Sequence, residues 1–159
     1  MASWQEIEQE IPELAARVLA VMGVRKHKAM ATVRKDGSPR ISGTEVEFKA
    51  GEVWLGSMPR AVKALDLLRD PRVAIQAQSD DPDESNPGAW MGDAKLAGRA
   101  VEVTDPEVVR NFGGPPGQEF HLFRIDVTEV VLTKVDEEGK HLVVEMWHED
   151  GGHRVVKRT

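Results

Sequence analysis

The chain has 159 residues, with 21 Lys and Arg against 27 Asp and Glu and a net charge of −6 at pH 7. This length predicts one domain with its own core, and the absence of a dense basic block argues against nucleic-acid binding. The chain has no cysteine, which excludes disulfides and thiolate metal sites and is typical of a reducing compartment, so we expect a cytoplasmic protein.

Residues 1–23 are predicted to form one amphipathic helix. Ser3 and Glu6 match a capping box, and Gly23 is a typical helix terminator. Four glutamates in this segment exclude a signal peptide and a membrane span. The apolar residues that share one helical face are Ile7, Ile11, Leu14, Val18 and Met22.

The rest of the chain has the pattern of an antiparallel β domain, with a barrel over residues 29–147 and a tail over 148–159. Tight turns favour closure of six or seven strands into a small barrel over an open sheet. Gly98 interrupts one strand and predicts a bulge or a close backbone approach. Between strands we expect an acidic surface loop at 80–92, a short helix at 104–112 and a rigid loop at 113–117. The predicted strands are 29–34, 39–46, 53–57, 72–78, 94–103, 120–133 and 140–147.

A short helix is predicted after the strand that ends at Ser57. Ser57 is a suitable cap, Pro59 fits the first helical turn, and Asp70-Pro71 ends the helix. Two apolar stripes have helical spacing, and the sequence leaves the choice between them open. These stripes are Val62, Leu65 and Leu68, or Ala61, Ala64 and Leu68.

Arg60 and Lys63 are expected in the first turns of this helix. Cations at that end oppose the helix dipole, while the free amide N–H groups there favour an anion such as phosphate. The sequence therefore indicates an anion site. The alternative is that both side chains are solvated, or that Lys63 pairs with Asp66 or Glu52.

Several short motifs, in their order and spacing, resemble the pyridoxamine 5′-phosphate oxidase-like split barrels, which include actinobacterial flavin and deazaflavin oxidoreductases. The resemblance covers roughly residues 25–135 and implies a mainly β (α+β) fold: a six-stranded antiparallel split β-barrel, in a homodimer with two flavin-type sites at the interface. The matching pieces are Ala31-Thr-Val33, Asp36-Gly37-Ser38-Pro39-Arg40, Ser57, Lys63, Asp70-Pro-Arg-Val-Ala74 and Gly98-Arg-Ala100.

The resemblance also implies which residues hold the cofactor. It implies that residues 40–43 lie beside the ring and phosphate and that Ser57, Arg60 and Lys63 bind the phosphate. It also implies that Gln76 and Gln78 contact the ring and that Trp147 matches a C-terminal motif. The glutamines have the alternative of facing solvent. The implied residues are Arg40, Ile41, Ser42, Gly43, Ser57, Arg60, Lys63, Gln76, Gln78 and Trp147.

The resemblance implies an oxidoreductase that uses a small organic substrate, in which the cofactor carries the hydride. No side chain is therefore assigned as catalytic. The five histidines have no metal-ligand spacing, and we expect no metal site.

Two cofactors fit this pattern. FMN offers one terminal phosphate, whereas coenzyme F420 has a longer anionic tail that needs further cations. We predict FMN, with F420 as the alternative and a non-enzymatic flavin- or haem-binding module as a third possibility. The cations available to an F420 tail are Lys26, Lys28, Arg34, Lys35 and Arg40.

Overall fold

Nine strands and four α-helices form the part of the chain that the structure, a computed structural model, describes: residues 1–113, 117 and 119–159. The helices are α1 (Trp4–Glu10), α2 (Pro12–Met22), α3 (Val62–Arg69) and α4 (Pro106–Asn111), with a 3-10 turn at Pro87–Ala89. The strands are β1 (His27–Val33), β2 (Pro39–Glu45), β3 (Glu47–Lys49), β4 (Glu52–Ser57), β5 (Arg72–Gln78), β6 (Asp93–Glu102), β7 (His121–Val135), β8 (Leu142–His148) and β9 (Gly152–Arg158).

The strands pair antiparallel in the order β2-β1-β5-β6-β7-β4-β3, and β8 and β9 extend the sheet from β7. The long β7 pairs with β6 along one edge, and with β4 and then β8 along the other. The two end strands of this order, β2 and β3, are consecutive in the chain and are joined through Val46. The sheet is therefore not closed by a ladder between its end strands, and this open arrangement confirms the predicted split barrel.

Gly98 is the point where β6 shifts its register against β7, between Ala97 and Gly98. A Cβ atom at this position would lie 2.2 Å from the carbonyl oxygen of Asp126. The predicted bulge and the predicted close approach are therefore both present.

The N-terminal helix is two helices, so the prediction of a single helix was wrong. Pro12 lacks the N–H that a continuous helix needs, and the chain breaks at Ile11, whose φ is −133°. The capping box of Ser3 and Glu6 and the end at Gly23 are confirmed. The predicted apolar face packs on the inner face of the sheet, because all five of its residues are buried in the core.

Helix α3 begins later than predicted. Its N-cap is Ala61, and the preceding residues form a turn in which the Ala61 N–H donates to the Met58 carbonyl oxygen at 3.1 Å. Ser57 therefore ends β4 and does not cap the helix, and Pro59 and Arg60 lie before its first turn. Arg60 has φ of 58°, which a right-handed helix cannot accommodate.

The buried face of α3 also differs from both predicted stripes. Ala64 and Leu67 are buried, whereas Val62, Leu65 and Leu68 are exposed. Asp66 occupies an inward position because three donors pair with it there. A buried charge of this kind leaves no signal in hydrophobic periodicity.

The C-terminal residues form a hairpin rather than the expected tail. Strand β9 pairs with β8 along its whole length, and its residues after Gly152 are exposed. The helix predicted at 104–112 is present as α4, with Asp105 as its N-cap. Most of the rigid loop predicted at 113–117 lies outside the described residues. Within the part of the chain that is described, no helix has the length and hydropathy needed to cross a membrane.

Candidate functional site

A cleft of about 860 Å³ lies at the split of the barrel. Its walls come from the ends of β2 and β4, the chain between α2 and β1, and the start of α3. Phe48, Trp54, Phe112, Phe120 and Leu122 supply the apolar lining. Since the split leaves β2 and β4 without a shared ladder, the cleft is a direct result of the strand order.

Ser57 lies at the end of β4 and lines this cleft. Its Oγ atom is buried and has no hydrogen-bond partner among the residues that the structure describes. Buried hydroxyls are nearly always hydrogen-bonded, so an orphaned one in a cleft indicates a site for a ligand.

Lys63 brings α3 and β2 together in the same cleft. Its Nζ donates to the carbonyl oxygen of Gly43 at 2.6 Å, and both residues line the cavity. Lys63 belongs to the first turn of α3, where free amide N–H groups carry partial positive charge. One ammonium group, one hydroxyl and a helix N-terminus therefore border the same cleft, and this donor set suits phosphate.

Arg60 lies outside the cleft. It lines a second cavity of about 460 Å³ on the other side of the turn, together with His121 and Glu102. The backbone N–H of Arg60 donates to Nε2 of His121 at 3.4 Å. The structure thus separates Arg60 from Ser57 and Lys63.

Arg40 is engaged by a buried carboxylate. Its Nε donates to Asp66 at 2.6 Å, and Asp66 also accepts from Thr32 at 2.8 Å and from Arg69 at 3.0 Å. Burial alone would raise the pKa of Asp66, which is 3 % exposed, but the hydrogen bonds from Arg40, Thr32 and Arg69 outweigh it and lower the pKa to about 2.

The remaining residues of the β2 run divide between the two faces of the strand. Ile41 points outward and is 79 % exposed, while Ser42 is half-buried on the inner side. Gly43 lines the cleft, whereas Arg40, Ile41 and Ser42 are not among its lining residues.

A second group of cations lies in the cleft, and it is only partly the group expected for an F420 tail. Lys26 and Lys28 line the cavity with Arg25 and His27, which the sequence did not single out. Lys26 is 74 % exposed and lies 3.4 Å from Glu45. Arg34 and Lys35 lie at the β1–β2 turn, outside the cleft.

Lys28 differs from Lys26 because it is almost fully buried. Its Nζ donates to the carbonyl oxygens of Arg25 and Lys26. Burial lowers the pKa of Lys28, although Glu45 acts in the opposite direction. Lys28 therefore orders the chain between α2 and β1.

Three predicted contact residues lie elsewhere. Gln76 and Gln78 are exposed on the outer face of β5, and Trp147 is buried in the core. The aromatic lining of the cleft was missed, since Trp54 and Phe112, whose ring centroids are 4.6 Å apart, are far apart in the sequence and follow no shared motif. In the described ranges, His, Asp and Glu form no group that could hold a metal ion.

The fold defines a split-barrel protein, and its cleft is lined by donor groups that suit an anion. The sequence profile of the pyridoxamine 5′-phosphate oxidase family matches residues 19–134, and the chain belongs to this family. No curated protein matches the chain.

Three solved structures show the same fold. PhzG from Burkholderia lata 383, in complex with tetrahydrophenazine-1-carboxylic acid, is 14% identical with a TM-score of 0.62, and the match covers 98% of this chain and 93% of PhzG. A putative pyridoxamine 5′-phosphate oxidase from Listeria innocua is 16% identical with a TM-score of 0.58, over 76% of this chain and 98% of that one. A haem-binding protein from Mycobacterium smegmatis is 16% identical with a TM-score of 0.57, and the match covers 92% of this chain but 58% of that protein.

Proposed function

We propose that this protein is a flavin-dependent oxidoreductase that binds FMN in the cleft and transfers hydride to or from a small organic substrate. The observation that carries the proposal is the buried Ser57 hydroxyl, which has no partner among the described residues and belongs to a residue that lines the cleft together with Lys63. Family membership supports a flavin-type cofactor over other phosphate ligands.

The residues of the cleft have distinct roles in this proposal. Ser57 and Lys63 hold the phosphate, because a charge-assisted contact is stronger than a neutral one. Trp54, Phe112 and Leu122 provide an apolar wall that excludes water. FMN supplies the hydride chemistry when it is bound, so the protein needs to bind and orient it.

The proposal includes a homodimer. Ile41 on β2, Met58 in the turn and Val62 on α3 are large apolar side chains with exposed surface near the cleft. A second subunit would bury such side chains and cover the cofactor. Light scattering should give a dimer at micromolar concentration, and a monomer would count against this part of the proposal.

Lys63→Ala tests the phosphate site. Loss of one charge-assisted contact should weaken FMN binding about tenfold to a hundredfold. Lys140→Ala is a matched control, because Lys140 lies at the β7–β8 turn and pairs with Glu138. Fluorescence titration with FMN measures both variants, and equal affinity of Lys63→Ala and the parent would contradict the site.

Coenzyme F420 is a second candidate, because Lys26 and Arg25 line the same cleft, where they pair with Glu45 and Asp80. An F420 tail should draw on these cations and lose affinity more steeply with salt than FMN does. Lys26→Glu should therefore weaken F420 binding and leave FMN nearly unchanged, while Lys35→Glu, outside the cleft, should affect neither. Lys28 is unsuitable for this test because its burial makes reversal of its charge destabilising.

A non-enzymatic flavin- or haem-binding module is the remaining alternative. Oxidation of NAD(P)H or of reduced F420 by the loaded protein would support an enzyme. Stoichiometric binding of FMN, F420 or haem without turnover would support the module.

A further inference from the structure

The second cavity contains a histidine that no sequence motif identifies. His121 begins β7, is 21 % exposed, and lines this cavity with Pro59 and Arg60. Phe120 lines both this cavity and the main cleft. The two spaces are therefore neighbours, separated by the turn from Met58 to Ala61, whose ends line the cleft.

This turn is held in an unfavourable conformation. Pro59 and Arg60 occupy its central positions, and the Ala61 N–H closes it on the Met58 carbonyl oxygen. Arg60 has φ of 58°, and a positive φ after proline is typical of a type II turn, where glycine or asparagine is preferred. Arginine at this position is strained, so the surroundings must hold it there.

His121 supplies a contact that holds the turn. Its Nε2 accepts the Arg60 backbone N–H at 3.4 Å, and its Nδ1 lies 3.0 Å from Oε1 of Glu102. Since the Glu102 carboxylate can only accept at neutral pH, Nδ1 carries the proton and Nε2 keeps its lone pair. The His121 ring also stacks on Phe123, with centroids 6.1 Å apart, which fixes its plane.

We propose that His121, oriented by Glu102, is a positioning residue for the Met58–Ala61 turn, and that it holds the turn only while its imidazole is neutral. Protonation places a hydrogen on Nε2, and two N–H groups then face each other. The turn connects Ser57 to α3, so its release disturbs the arrangement of Ser57 and Lys63. The inference thus rests on the proposed phosphate site and adds a pH-dependent support to it.

The charges that face His121 decide the sign of the effect. Glu102 from β6 and Glu119 from the segment before β7 are acidic, and Arg60 from the turn is basic. A protonated His121 would keep its contact with the Glu102 carboxylate, and Glu119 lines the same cavity. These acids offset the positive charge, so the attraction of a protonated His121 for an anion in the cleft is small. Loss of the Arg60 contact therefore dominates, and affinity for FMN should fall as the pH is lowered.

The contact can be tested without any cofactor. In the free protein, the backbone amide resonance of Arg60 should shift when acid protonates the His121 imidazole, because Nε2 can then no longer accept the Arg60 N–H. His121→Gln keeps an acceptor that does not titrate, so its Arg60 resonance should stay in place. His141→Gln is the matched control, because His141 forms a similar pair with Asp136 far from the turn. An Arg60 shift of the same size in His121→Gln would overturn the proposal.

The consequence for the cleft is measured by FMN titration. Acidification that shifts the Arg60 resonance should weaken FMN binding to the parent about threefold to tenfold more than to His121→Gln, the scale of one hydrogen bond. Titration of the FMN phosphate is common to both proteins and cancels in the comparison. His121→Phe, which has no acceptor, should bind weakly before and after this acidification. Equal pH dependence in the parent and His121→Gln would overturn the link to the cleft. If FMN does not bind at all, the proposed function fails, while the Arg60 resonance still decides the role of His121.

Discussion

The two ends of the α3 region differ in whether their buried polar groups have hydrogen-bond partners. Toward its C-terminal half, Asp66 is buried and receives three hydrogen bonds, from Thr32, Arg40 and Arg69. At the N-terminal end, the Ser57 hydroxyl is buried with no partner in the described part of the chain, and Arg60 is strained. Charges that are fully paired hold the helix to the sheet, whereas groups left unpaired or strained are typical of a site that awaits a ligand.

Asp66→Ala should have the largest effect. It removes a buried carboxylate that accepts hydrogen bonds from two arginines; because Arg40 and Arg69 are 22% and 39% exposed, the loss should be about 2–3 kcal/mol in the free energy of unfolding. Urea denaturation measures the change. Asp70→Ala is the control, because the Asp70–Arg72 pair is more exposed than the pairs of Asp66 and should contribute less. Similar losses in both variants would mean that burial does not distinguish the two pairs.

Acid should remove the same stabilisation in the parent. The pKa of Asp66 falls from 3.8 to about 2 on folding, so its contribution is complete above the unfolded-state pKa and is lost as the pH falls through the folded one. Stability should therefore decline from about pH 5 toward about pH 2. Asp66→Asn should flatten part of this decline in pH-dependent denaturation. A part should remain, because the pKa values of Asp70 and Asp136 are also about 2.

Ser57→Ala should separate stability from binding. Removal of an unpartnered buried hydroxyl should leave the free protein as stable or more stable by about 1 kcal/mol, while FMN affinity falls several-fold. Ser79→Ala provides the contrast, because the Ser79 hydroxyl is buried but donates to the Gly92 carbonyl oxygen at 2.7 Å. That variant should lose about 1 kcal/mol of stability and keep its FMN affinity. Destabilisation by Ser57→Ala would argue against a hydroxyl reserved for a ligand.

Arg60→Gly should give the smallest effect, a gain of about 0.5–1 kcal/mol in stability, because glycine accepts a positive φ without strain. Ala50 has φ of 53° in the β3–β4 turn, so Ala50→Gly is the matched comparison away from the cleft. Thermal unfolding of both variants measures the strain at each turn. No gain from Arg60→Gly would show that the turn before α3 is not strained.

The strands and their order of appearance could be predicted because alternating apolar residues and turn residues are local signals. The hairpin predicted at 29–46 is present at 27–45, and strand β5 has the predicted bounds, 72–78. The N-terminal helix was predicted as one unit because its apolar spacing continues across Pro12, although proline removes the hydrogen bond that continuity requires. Strand β9 was missed because its residues are exposed and show no core pattern.

The candidate site was predictable only in part. Ser57 and Lys63 share the cleft because one motif places both beside the end of β4. Arg40 was expected at the cofactor, but its Nε pairs with Asp66, and a tertiary ion pair cannot be read from spacing. The aromatic lining comes from separate elements and depends on the folded sheet.

The split itself has a kinetic consequence. Because β2 and β3 are connected by Val46 and not by a ladder, the cleft can widen without breaking any backbone hydrogen bond between them. Entry and release of a bound molecule should then require no local unfolding. Amide protons of β1, β5 and β6 should stay protected from hydrogen exchange with solvent while the molecule enters or leaves. The strands that stay hydrogen-bonded and the end strands that can move apart are therefore different segments of one sheet.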